Sequence, residues 1–378
     1  MSLKKIMAIE YIRGVSMLGV IGIHTGAYSL SNPKVNIHLF ALLEIITRFS
    51  VPIFFFVSAF GLFITQDLTA KLNYSSFLAK RLRTVLLPYA VWSILYMIHY
   101  TLVSGDTMIW HPSLLFEYAL FGLASYQLYF LVILLWFYTL MPLWRFMVRH
   151  IINHPIRNLG IILLLQILFN YYSSFMLHAN FSNHYINKLI YHRASYWLLH
   201  YLFIFLLGAV CAVKYSDFKV VIRRHQSSIT NFFYLTLSGI LLFYYYLLYV
   251  DHYTPEAAVN TDHQLSPIGI LYTLSTTLFL FMVFSKDTLP QGIRNVLSSL
   301  GKHSYGVYLV HPLVMYYLSN YLAGQNLLMT APITIIFYLL TASFSLAFAI
   351  LIEKISIFMP IISVLLIGSK LPKSKSGI

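Results

Sequence analysis

Ten stretches of this chain are apolar enough and long enough to cross a bilayer. They lie near 7–29, 38–65, 85–104, 126–147, 157–177, 196–214, 230–250, 266–285, 304–323 and 330–352. In hydrocarbon the backbone must satisfy its own N–H and C=O groups, so such segments become helices. The expected fold is an all-α polytopic membrane bundle of about ten transmembrane helices. Composition agrees. Of the 378 residues, 59% are hydrophobic and 10% charged, against roughly 25% charged in ordinary soluble domains. A run at 113–124 is too short to span and reads as re-entrant or interfacial. The apolar run 353–367 either extends the last helix or lies in the interface. The start, "MSLKKI", resembles a signal peptide, but Glu10 and Arg13 interrupt the apolar run and no small-residue cleavage site follows. It reads as an uncleaved first span.

The formal net charge is +14. Placing the N-terminus in the cytoplasm assigns 20 of the 25 Lys and Arg residues to one set of connections: Lys4 and Lys5, then 71–83, 145–157, 214–224, 286–302 and 354–375. The opposite set holds only Lys34, Lys188 and Arg193. This alternation is the positive-inside pattern. It predicts both termini in the cytoplasm and explains the basic balance without nucleic acid. Residues 1–367 read as one transmembrane domain and 368–378 as a basic, disordered cytoplasmic tail. A single cysteine, Cys211, allows no internal disulfide. There is no phosphate-binding glycine loop, dinucleotide fingerprint, paired-cysteine metal site or HExxH.

The two remaining cations, Arg13 and Arg48, fall inside spans. A guanidinium facing lipid there costs about 2.5–3.5 kcal/mol or more, so each should face the bundle interior or water. On a helix, Arg13 and His24 are about 16 Å apart along the axis and about 20° apart around it. They share a stripe, one near the cytoplasmic side and the other near the outer side. A plainer arrangement is also open: Glu10 pairs with Arg13 at i,i+3 and His24 is interfacial. Glu44 and Arg48 have the i,i+4 spacing of an ion pair. In "FLAKRLRTVLLPY", Arg81 and Arg83 suit phosphate binding, and the plainer reading is a positive-inside anchor. "SVPIFFFVSAFG" places Pro52, Ser58 and Gly61 where helices approach closely. In "LGKHSYGVYLVHPL", Gly301 and Ser304 fit a turn and N-cap opening the ninth span. That puts Tyr305 in its first turn and His311 two turns in, either functional or a buried imidazole bonded to a carbonyl.

Together "RGVSMLGVIGIH", "VPIFFFVSAF", "FLAKRLRTVLLPY" and "GKHSYGVYLVHP" resemble, in order, the membrane-bound acyltransferase-3 family, in its stand-alone ten-span form. The resemblance implies transfer of an acyl group, in particular acetyl, from cytoplasmic acyl-CoA to a hydroxyl of a surface glycan or its lipid-linked precursor. It implies that His24 is the essential histidine at the reacting hydroxyl, Arg13 its partner associated with the donor, Arg81 a cytoplasmic arginine and His311 the histidine of the family's "YLxHP" segment. Arg83 fits less well because spacing varies. Two positions depart from the family pattern. Ser58-Ala59 stands for Ser-Gly, and Leu128-Tyr129-Phe130-Leu131 stands for Leu-Trp-Phe-Leu, which leaves a role for Tyr129 open. The expectation is O-acetylation of a polysaccharide in a bacterial cytoplasmic membrane, with acyl-CoA, the glycan and membrane lipids as partners and no metal. His24 acts there either as general base or through an acyl-His24 intermediate. The rival expectation is a polysaccharide exporter using the same polar cavity without bond chemistry.

Overall fold

The computed structural model describes residues 6–368 apart from 31, 33, 34 and 287. The basic tail beyond Gly368, with Lys4, Lys5 and Lys34, lies outside the described residues. Among those described, every regular element is helical. The chain is an all-α bundle. In chain order the elements that matter here are α1 (Met7–Ser29), α2 (Ile37–Phe63) and α3 (Tyr74–Ser104), then α4 (Pro112–Phe121), α5 (Tyr129–Thr139) and α6 (Met141–Ile151). Next come α7 (Pro155–Met176), α8 (Leu198–Val213), α9 (Tyr215–Arg224), α10 (Gln226–Tyr249) and α11 (Pro255–Thr261). The last four are α12 (Pro267–Phe284), α13 (Gln291–Gly324), α14 (Ala331–Ile355) and α15 (Pro360–Ile367).

By length and composition, six of the described helices could cross a membrane: α2, α3, α7, α10, α12 and α14. There are eight if each of two bent pairs, α5 with α6 and α8 with α9, is one span. The other two stretches expected to span fall on α1 and α13. Both are long enough, but they carry Glu10 and Arg13, and Arg294 and Lys302, among polar and small residues. They sit at the centre, packed mainly on each other. The helices facing outward show the apolar surface that lipid requires: Leu164, Leu168, Leu235 and Leu242 are all exposed.

Small residues set the central packing. A Cβ on Gly14 would overlap the Leu297 carbonyl oxygen, and one on Gly301 would overlap that of Glu10. The two backbones therefore touch. This corrects the turn expected at Gly301 and Ser304. α13 runs unbroken through both, and Ser304 Oγ donates back to the Gly301 carbonyl at 3.0 Å instead of capping a new helix. The glycine serves close approach. The run 353–367 does not simply extend α14. It breaks after Ile355, and α15 packs back against α3, where Trp92 Nε1 donates to the Leu366 carbonyl at 2.8 Å.

Candidate active site

Arg13 projects from α1 into a cavity of about 310 Å³. Its walls come from α2 (Phe54, Ser58), α3 (Thr84, Val85), α5 (Phe130, Leu134, Tyr138), α13 (Gly301, Lys302, Ser304, Tyr305, Tyr308) and the end of α15 (Ile367, Gly368). Gly61 lies beside the guanidinium: a Cβ there would meet Arg13 Nη2 at 3.6 Å, an ordinary contact. The i,i+3 partner Glu10 accepts a hydrogen bond from Ser298 Oγ at 2.6 Å and acts electrostatically on Arg13. Tyr138 lies within reach of both Arg13 and Arg81, and the Arg81 guanidinium sits 5.4 Å from its ring centroid and 5.5 Å from that of Phe77. Arg81 thus stands beside the cavity through Tyr138, whereas Arg83 is exposed and is not among the lining residues. Tyr305 lines the cavity, with its hydroxyl 3.5 Å from the Val85 carbonyl.

His24 lies farther along α1, beyond the wall made by Phe130 and Tyr308, and is not among the residues lining that cavity. It stacks on His311 (ring centroids 5.3 Å apart, 25° between planes) and packs on Tyr126 at 4.3 Å. Tyr308 meets His311 at 5.9 Å. His311 Nδ1 lies 2.8 Å from the Tyr308 carbonyl, so Nδ1 carries the proton and Nε2 presents its lone pair. That Nε2 is fully buried without a partner. His311 is therefore the carbonyl-bonded imidazole anticipated as one possibility, and it is also held against His24. Among the described residues the His24 ring makes these ring contacts and no hydrogen bond. It is nevertheless only partly buried. A side chain this deep that keeps accessible surface borders a water-sized space, so its nitrogens are free to meet an incoming group.

A third group of polar residues, which sequence reasoning largely missed, gathers around Arg48. Arg48 Nη2 bonds Glu44 at 3.2 Å, the expected i,i+4 pair, and donates to the Val259 carbonyl at 3.2 Å. Its charge reaches His24, Tyr129, Asp262 and His263. Tyr129 lies beside Tyr201, which in turn lies beside Gln264. Asp262 is wholly buried and neither carboxylate oxygen has a partner. Burial pushes its carboxyl up to about 8 despite the opposing pull of Arg48, and burial, followed by Arg48, holds the His263 imidazole down at about 4. The connection between α11 and α12 carries both residues. Its sequence, "TDHQLS", has no motif that marks it as part of a site. Only the tertiary fold brings it beside Arg48.

Set against known proteins, residues 6–353 match the family model for an acyltransferase domain, acyltransferase-3. No curated protein and no solved structure matches the chain.

Proposed function

The chain belongs to the acyltransferase-3 family, and from that premise we propose that this membrane protein moves an acyl group, acetyl in the simplest case, from acyl-CoA to a hydroxyl of a surface glycan or its lipid-linked precursor. The observation that carries this reading is the arrangement along α1. Arg13 borders an inner cavity, and His24, with unpartnered ring nitrogens, borders a separate outer space. The positive-inside pattern puts Arg81 and the mouth of the Arg13 cavity on the cytoplasmic side, where acyl-CoA is made. Guanidinium groups there suit the donor's phosphates, and walls that mix Phe54, Phe130 and Leu134 with hydroxyl side chains suit its arm and acyl chain.

In the reaction, the acceptor hydroxyl gives its proton to neutral His24 as its oxygen attacks the thioester carbon. The C–O bond forms, the C–S bond breaks, and the proton passes on to the leaving thiolate. Attack by His24 itself, giving an acyl-imidazole that the hydroxyl then opens, balances equally well. Phe130 and Tyr308 stand between the two compartments, so transfer requires these rings to move or the acyl arm to pass between them. Arg13 stabilises charge at the inner end. Arg48, Tyr129 and the Asp262 connection border the outer end, where the acceptor hydroxyl enters. The location proposed with this reading is a bacterial cytoplasmic membrane.

Two variants test the reading in membranes holding equal amounts of folded protein. With radiolabelled acetyl-CoA as donor, His24→Ala abolishes label on the glycan, a loss of at least about 10²-fold for a general base. Arg13→Lys, which keeps charge but loses the planar fork, gives a defect of similar kind. Retention of most transfer by His24→Ala removes the assignment.

A further inference from the structure

A second cavity, about 590 Å³, lies on the other side of α1 from Arg13. Ala8 and Tyr11 line it, and on a helix Arg13 points about 200° around from Tyr11. It is therefore separate from the donor compartment. Four cationic side chains reach it: Lys219 and Arg223 from α9, Lys286, and Arg294 from α13, which also donates to Gln291 Oε1 at 2.7 Å; among the described residues lining it none is acidic. Its remaining walls are largely apolar and include Ile222, Phe281 and Phe284.

Helix α9 explains the shape. It leaves α8 at a bend of 102° and so lies across the end of the bundle. Its Phe218 and Ile222 are buried, while Val220 and Val221 are exposed beside Arg223 and Arg224. An amphipathic helix lying across the spans, with cations beside exposed valines, is an interfacial helix. A positive-inside anchor needs only scattered exposed cations. Here four of them reach one concave space with apolar walls, at the end of the bundle that α9 crosses. Basic pockets between spans on the cytoplasmic side hold anionic headgroups.

We propose that this cavity binds the phosphate headgroup of an anionic phospholipid, with the acyl chains lying along the apolar surface beside α9 and α12. The shared chemistry is a phosphate, and a soluble nucleotide bisphosphate would offer it too. The apolar walls and the interfacial helix favour the lipid.

The test uses the full chain purified in a neutral detergent and followed by native mass spectrometry. Dioleoylphosphatidylglycerol should be retained at least tenfold better than dioleoylphosphatidylcholine. Combining Lys219→Gln, Arg223→Gln and Lys286→Gln should remove that preference, at about fivefold for each cation lost. As a control for misfolding of the triple variant, Lys286→Gln alone, at an exposed position outside the helices, is measured beside it and should lose about fivefold. Equal retention of the two lipids, or an unchanged preference in the variants, overturns the proposal. So does displacement of phosphatidylglycerol by adenosine 3′,5′-bisphosphate, which would assign the cavity to a soluble phosphate ligand.

Discussion

Asp262 and His263 are adjacent, buried and shifted in opposite directions, and this gives the protein a pH dependence whose sign can be worked out. The Asp262 carboxyl moves from an ordinary 3.8 to about 8 in the fold. Its stabilising effect is complete below 3.8 and is lost as pH rises toward 8, because the unfolded chain gives up the proton first. His263 moves from 6.5 to about 4. Its effect is complete above 6.5 and is lost as pH falls toward 4. Between 4 and 6.5 the folded chain keeps the Asp262 proton while the unfolded chain keeps one on His263, so the two slopes cancel. Between 6.5 and 8 only the Asp262 slope remains, about 1.4 kcal/mol per pH unit. The thermal midpoint of the wild type should therefore fall over that interval relative to Asp262→Asn, which has no proton to lose. Parallel melting curves for the two proteins from pH 6.5 to 8 would show that the carboxyl is already ionised. The charge of Arg48 acts on both of these residues and on His24, so a change in acceptor KM over this interval, absent in the variant, would tie the titration to the site.

At the scale of elements, the pairing of α1 with α13 governs the site, because Arg13 and His24 ride on one helix and Tyr305, Tyr308 and His311 on the other. Glycine makes that pairing close. Gly301→Ala would drive a methyl group into the Glu10 carbonyl oxygen and must push the helices apart. Overpacking of this kind costs typically about 1–3 kcal/mol. The expected result is a lower thermal midpoint together with loss of transfer. Gly292→Ala, where the added methyl meets nothing within 4 Å, should change neither and serves as the control. Two π-helical turns, Ala41–Ile45 within α2 and Leu82–Leu86 within α3, fall where Glu44 begins the Arg48 cluster and where Thr84 and Val85 line the inner cavity. An extra residue in a turn rotates the helix beyond it, and such turns are frequently found at functional sites. In α2 it precedes Arg48 and sets the direction in which that side chain leaves the helix.

Across the whole molecule, the topology can be tested because Cys211 is buried and gives a silent background to thiol labelling. Ser216 lies at the end that carries the basic cavity, and Ser182 lies in the connection between α7 and α8; both are exposed. With a membrane-impermeant maleimide on intact cells, Ser182→Cys should react and Ser216→Cys should react only after permeabilisation. The reverse pattern would invert the assignment of donor and acceptor sides. Much of this molecule was legible in its residues. Apolar runs of about 20 residues can satisfy their backbones only as helices, so the class of fold followed from composition and length. The eleven-residue interval from Arg13 to His24 fixed their shared face, since α1 is one unbroken helix and helical geometry is local. Glu44 and Arg48 paired as their spacing required, for the same reason. What the order of residues could not supply was everything that depends on which helices meet. Only packing places Tyr138 between Arg13 and Arg81, closes the inner cavity with Ile367 and Gly368, and sets Phe130 and Tyr308 between the two compartments. Only packing brings the Asp262 connection beside Arg48. Gly301 shows the difference most plainly. As a residue type it signals a turn or a close approach equally, and the position of α1 decided for the approach, because two backbones can touch only where neither carries a side chain.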